Sequence, residues 1–143
     1  MSETTPETLL PPSALSETAQ VDTPAICFED FGLSAEILRA LTDQGYIHPT
    51  PIQAEAIPIV LQGRDVMGAA QTGTGKTAAF ALPILQHLVS KRVPPTSRGA
   101  RVVVLAPTRE LASQIDQSFA AYARHIKLTH TVVFGGVGQQ RQV

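Results

Sequence analysis

An open α/β fold built on a parallel sheet is the class this sequence predicts, and three observations predict it. Val66-Met67-Gly68-Ala69-Ala70 is a short strand-like run that feeds a Gly-rich loop and then a long helical pattern. Val102-Val103-Val104-Leu105-Ala106 is apolar without interruption, as in a strand covered by helices on both faces. Thr131-Val132-Val133-Phe134 is a third, β-branched run, ended by Gly135-Gly136. Strand, helix, strand, helix, strand implies a parallel sheet with right-handed crossovers.

Each element has its own local justification. Residues 1–24 hold Glu3, Glu7, Glu17 and Asp22, many Ser, Thr and Pro, and no Lys or Arg. They read as a disordered acidic leader, unable to bury enough apolar area to offset the entropy of ordering. Ser34 is placed to cap a first helix whose Ile37, Leu38 and Leu41 share a face and which ends near Gly45. Thr50-Pro51 opens a second, with proline suited to the first turn and Ile52, Ala56, Ile57 and Val60 as its apolar stripe. Gly63-Arg64-Asp65 is a turn before the first strand. A third helix runs over about 75–90, with a bend expected at Pro83, which lacks a backbone donor. Residues 91–99, with Pro94-Pro95, form a loop; Thr108 then begins a fourth helix reaching about Arg124.

Composition bounds the function. With 143 residues, 43% of them hydrophobic and 16% charged, the chain is an ordinary globular length and balance for one domain. No apolar run approaches the length of a membrane span, and no basic segment followed by an apolar one marks a secretory signal. A single cysteine, Cys27, cannot form an internal disulfide; it fits a reducing, cytoplasmic setting and reads first as a small buried hydrophobe. The net charge of −1 hides an asymmetry: beyond the leader stand eleven basic and eight acidic side chains, a mildly positive body that suits a polyanionic partner without proving one.

The strongest motif is Ala70-Gln71-Thr72-Gly73-Thr74-Gly75-Lys76-Thr77, lying between a strand pattern and a helix pattern. A tight turn of small residues lets backbone N–H groups point at phosphate oxygens, and the helix that follows aims its positive dipole end at the same place. Lys76 is placed to reach the β- and γ-phosphates, and the Thr77 hydroxyl to ligate Mg²⁺. The usual pattern opens with Gly, where this chain has Ala70.

Choice of base has to come from elsewhere. Upstream stands Gly45-Tyr46-Ile47-His48-Pro49-Thr50-Pro51-Ile52-Gln53, with Phe28 seventeen residues before Gly45. A Gln amide offers a donor beside an acceptor, the complement of adenine N7 and N6–H₂, whereas guanine presents two acceptors. Gln53 is thus a candidate adenine reader and Phe28 a candidate stacking partner. Taken singly, Gln53 reads as a solvated helix residue and Phe28 as core.

On the other side, Pro107-Thr108-Arg109 lies where a strand ends and a helix begins, the edge at which open α/β sheets bind ligands. Helix N–H groups, the Thr108 hydroxyl and the Arg109 guanidinium suit one phosphate, and Gly135-Gly136 allows close backbone approach to a second. The equally ordinary reading is an N-cap at Thr108 and a surface ion pair at Arg109. His48, His87, His125 and His130 show no metal-ligand spacing, and Asp65 and Glu110 suit turn and helix roles.

Together these segments resemble the DEAD-box ATP-dependent RNA helicases. Phe28 with residues 45–53 looks like the family's adenine-sensing Q motif, and residues 70–77 look like its motif I, which itself begins with Ala. Pro107-Thr108-Arg109-Glu110-Leu111-Ala112, followed by Gln114, is similar to motif Ia, and Gly135-Gly136 to the Gly-Gly element. The wording is similar to the bacterial RhlE-like branch. The resemblance implies that residues 25–143 are the first portion of a RecA-like P-loop domain. It implies ATP and Mg²⁺ as cofactors, held by Phe28, Gln53 and residues 70–77. It further implies RNA as a partner, gripped by its backbone at Pro107, Thr108, Arg109, Gly135 and Gly136 without reading sequence. The family's Asp-Glu-Ala-Asp carboxylates do not occur before Val143, so the 143 residues alone are expected neither to hydrolyse ATP nor to complete their sheet. The competing expectations are a non-catalytic nucleotide- or RNA-binding fragment and a DNA helicase. A P-loop kinase or GTPase would lack the segment at 45–53, and a GTPase would show Asn-Lys-x-Asp, which is absent.

Overall fold

The computed structural model of the chain describes residues 26–91, 99–136 and 138. The expected leader at 1–24 and most of the Pro94-Pro95 loop lie outside them. A 3₁₀ turn, Phe28–Phe31, is followed by helices α1 (Ala35–Asp43), α2 (Pro51–Leu61), α3 (Lys76–Ser90) and α4 (Arg109–Tyr122).

Helix starts and stops follow local chemistry. Both α1 and α2 end in Schellman motifs built on a left-handed glycine. Past α1, Gly45 N–H donates to Thr42 O and Tyr46 N–H to Leu41 O, with Gly45 at φ +74. Past α2, Gly63 N–H donates to Val60 O and Arg64 N–H to Ile59 O, with Gly63 at φ +76. Pro51 takes the first position of α2, where a missing N–H costs nothing. Thr108 caps α4 by accepting from Leu111 N–H at 3.2 Å. Ser34 stands at the N-cap of α1, but its buried Oγ has no partner; its own N–H donates to Gln86 Oε1 at 2.7 Å, tying α1 to α3. Helix α3 runs continuously through Pro83, which is fully buried.

The core lies among these helices. Ile37 and Leu41 of α1, Ile57 of α2, and Leu82 and Leu85 of α3 are sealed from solvent, with Phe28, Leu33 and Tyr122 around them. Burial of this kind stabilises by roughly 1.5–3 kcal/mol per large side chain. The expected stripe of α2 is corrected in one respect: Ile52 and Val60 are only half-buried, while the polar Gln53 is buried.

The expected parallel sheet is not seen among the described residues. No strand forms there, and segments 66–70, 102–106 and 131–134 belong to no regular element. Several of their side chains face solvent, Val103 at 73% exposure and Leu105 at 89%. Parallel pairing draws its stability from burial on both faces, and that burial is missing here.

Candidate nucleotide and phosphate site

Residues 70–75 turn sharply ahead of α3, with Gly73 at φ +80 and Gly75 at φ +85, conformations that a side chain resists. Gly75 is also the N-cap of α3 and has no side chain to offer, so the start of that helix stays unsealed by any capping group. Thr74 Oγ1 closes the turn on itself, donating to Gln71 O at 2.8 Å. The Lys76 ammonium folds back over the loop, donating to Gln71 O at 2.7 Å and also to Ala70 O. Positive charge is therefore held over the loop at a helix N-terminus, the arrangement that attracts an anion. Thr77 follows in the first turn of α3, half-buried, and Gln71, Thr72 and Gly73 are exposed.

The N-terminus of α2 is fastened to this loop. Thr50 Oγ1 donates to Thr74 O at 2.8 Å, and Gln53 Nε2 donates to Gly75 O at 3.1 Å. Gln53 Oε1 accepts from Thr50 N–H at 2.9 Å, half of a capping box. A Cβ at position 75 would overlap Gln53 Nε2 and sit 3.3 Å from Thr50 Oγ1. Glycine is thus demanded twice there, by φ and by approach. Thr50-x-x-Gln53 is the signature of such a box, so this contact was available in the sequence as a capping pattern.

Two expected base contacts look different in three dimensions. Phe28 is 2% exposed, packed in the core and edge-on to Phe31 at 6.1 Å between ring centroids. In this structure its ring is covered by apolar neighbours of the core. Gln53 is 6% exposed and each end of its amide already holds a protein partner. One N–H and one lone pair remain on it for a base.

On the other edge, Arg109 Nη2 donates to Gly135 O, so the structure brings the start of α4 to the Gly-Gly turn. Gly136 adopts φ +75, and a Cβ there would lie 3.0 Å from Arg109 Nη2. Thr108 acts as the N-cap, as its ordinary reading required, and Pro107 and Arg109 are exposed.

The family model of DEAD/DEAH box helicases matches residues 50–143, well over half the chain. The chain belongs to the DEAD/DEAH box helicase family. It is 50% identical over 116 residues to the ATP-dependent RNA helicase DeaD of Klebsiella pneumoniae, covering 81% of this chain and 17% of that protein. It is 49% identical over 117 residues to the ATP-dependent rRNA helicase RRP3 of Gibberella zeae, covering 82% of this chain and 23% of that one. Among solved structures it is similar to the RNA helicase Prp28 of Chaetomium thermophilum bound to ADP. There the TM-score is 0.72 at 40% identity, covering 81% of this chain and 28% of that one. The chain thus spans about a fifth of the length of these curated relatives. It shares the family's RecA-like fold, of which the described residues show the helices and the phosphate loop but not the sheet.

Sequence reasoning passed over several pairings in this DEAD/DEAH box chain. His125 bonds to Asp43 Oδ2 at 2.7 Å and Arg124 lies 3.5 Å from the same oxygen, joining the end of α4 to α1. The hydrogen bond with His125, aided by the Arg124 and Arg39 charges against some desolvation, holds the Asp43 carboxyl below its usual range. His130 bonds to Asp116 Oδ1 at 2.6 Å, and His48 lies against Ile26 and Cys27. None of these histidines belongs to a metal cluster among the described residues. Burial and the neighbouring Tyr46 push the Tyr122 phenol up to about 12.

Proposed function

We propose that this chain forms the nucleotide-gripping part of an ATP-dependent RNA helicase of the DEAD-box type. The observation that carries the reading is the double attachment of the phosphate loop: Lys76 folded over Ala70 and Gln71 from within, and Thr50 and Gln53 holding Thr74 and Gly75 from outside. Names of relatives and the ADP in the Prp28 structure support it.

In this reading residues 70–77 cradle the triphosphate. Lys76 leaves the Ala70 and Gln71 carbonyls for phosphate oxygens, a stronger charge-assisted partner. The chemistry of the donors at Thr77 suits a hard, oxygen-loving cation, and Mg²⁺ bound there would draw charge from the phosphates. Gln53 offers its second N–H and second lone pair to adenine. Arg109, Thr108 and the Gly135-Gly136 turn take RNA phosphates, a sequence-independent grip that weakens with salt. Hydrolysis and strand remodelling belong to the whole protein, because this sequence holds no Asp-Glu-Ala-Asp carboxylates. A cytoplasmic setting is part of the same proposal, in keeping with its single thiol.

Competition binding tests the choice of base. ATP should displace a fluorescent adenine nucleotide from the chain at least tenfold better than GTP, and Gln53→Ala should erase most of that preference. Equal displacement by the two nucleotides contradicts the reading.

A further inference from the structure

We propose that the groove between the end of α1 and the outer face of α4 is a docking surface for a proline-rich segment of this chain's own leader, Leu9-Leu10-Pro11-Pro12. This surface is separate from the phosphate loop and lies on a different face of α4 from Arg109.

The groove holds about 320 Å³ and is lined by Gln44, Tyr46, Gln114, Gln117, Ser118 and Tyr122. On α4, positions 114, 117, 118 and 121 recur at helical spacing and form one stripe. Arg109 and Asp116, seven residues apart, share another face, which turns toward Gly135 and His130. The two tyrosine rings stand 6.3 Å apart at 51°, with Tyr122 buried and Tyr46 46% exposed. None of the lining residues is Asp, Glu, Lys, Arg or His. Glutamine amides donate to carbonyl oxygens, and tyrosine faces pack on proline rings. Together they suit a polyproline-type strand, whose backbone makes no hydrogen bonds of its own.

The leader supplies such a segment within reach. Residues 8–16 carry no charge and hold Pro11-Pro12 beside Leu9 and Leu10, bounded by Glu7 and Glu17. An uncharged stretch enters an uncharged groove without the penalty of burying an ion. The chain's other proline pair, Pro94-Pro95, stands between Arg92 and Arg98 and brings charge with it. The leader joins the described residues at Ile26, whose carbonyl oxygen lies 3.3 Å from His48 Nδ1, and Tyr46 is two positions before His48. From Pro12 to Ile26 an extended chain spans up to roughly 46 Å, more than the width of a domain this size. Proline's fixed φ lowers the entropy lost on docking, and the tether keeps the segment at a high effective concentration.

Intrinsic fluorescence reads this surface alone, because the chain has no Trp and its two tyrosines both line the groove. A tyrosine-free peptide of residues 6–18 is titrated into the 143-residue chain and into its Pro11→Ser/Pro12→Ser variant. The variant should half-saturate at a peptide concentration at least about threefold lower than the wild type, in which the tethered copy competes. Gln117→Ala, at an exposed position of α4, should weaken the peptide about fivefold in that variant, the worth of one hydrogen bond. No tyrosine response in the variant would overturn the docking surface. Equal half-saturation in the two chains would mean that the groove takes proline-rich segments but not its own leader, and would overturn the choice of occupant. Binding left unchanged by Gln117→Ala would put the peptide elsewhere on the chain and overturn the site.

Discussion

Gln53 donates its amide N–H to the carbonyl oxygen of Gly75 across 3.1 Å, so the start of α2 bears directly on the last residue of the phosphate loop. The contact leaves no room for a side chain at position 75, where a Cβ would run into Gln53 Nε2. Gln53, proposed above as a reader of adenine, is in this structure a strut for the loop that runs into α3.

Substituting that glycine should expose the tie. Gly75→Ala combines a strained φ of +85 with overlap against Gln53, and is expected to destabilise the chain by about 1–3 kcal/mol in denaturant unfolding. Gln53→Ala in the same chain removes the overlap but not the strain. The double variant should accordingly lose less stability than the two single losses added together. Strict additivity would show that the two residues do not press on each other.

Acid should loosen the link between α1 and α4. Asp43 titrates below its ordinary value in the folded chain, chiefly through the hydrogen bond with His125. A depressed carboxylate stabilises the fold above its unfolded pKa, near 3.8, and that contribution is lost as pH falls through the folded value. Asp43→Asn should melt below the wild type near neutral pH, and the gap should close as pH drops under about 4. A gap that stays constant down to acid pH would rule out this linkage.

Much of this was legible beforehand, and the reasons differ by element. The helix boundaries were readable because Pro51, Gly45, Gly63 and Thr108 act through their own backbone or side chain within a turn or so. The phosphate loop was readable because its glycines and lysine act over eight consecutive positions. Burial of Gln53 was hidden because its partners, Thr74 and Gly75, arrive from more than twenty residues away, although the Thr50-x-x-Gln53 spacing pointed to half of the contact. Phe28 is legible either way in the sequence, because the same aromatic ring serves a core and a stacking platform, and in this structure it is packed in the core. Apolar runs at 102–106 and 131–134 show the opposite limit. Their composition announces strands, yet a strand exists only by pairing, and among the described residues no pairing forms.

The exposed side chains of these segments should be detectable in solution. Met67, Val103, Leu105 and Val133 all expose most of their side chains, and clustered exposed apolar segments bind dyes and each other. The chain should bind a hydrophobic fluorophore in native buffer and self-associate as concentration rises. A dye-silent monomer across the same range would mean that these segments are covered.

The central claim is that Lys76 and the loop at 70–77 form a seat for a polyphosphate, and one measurement reaches it directly. Titration of inorganic tripolyphosphate into the chain and into Lys76→Ala isolates that seat from any base contact. Loss of a charge-assisted contact predicts at least tenfold weaker binding in the variant, with an unchanged melting temperature. Equal affinity in the two proteins would contradict the account at its root.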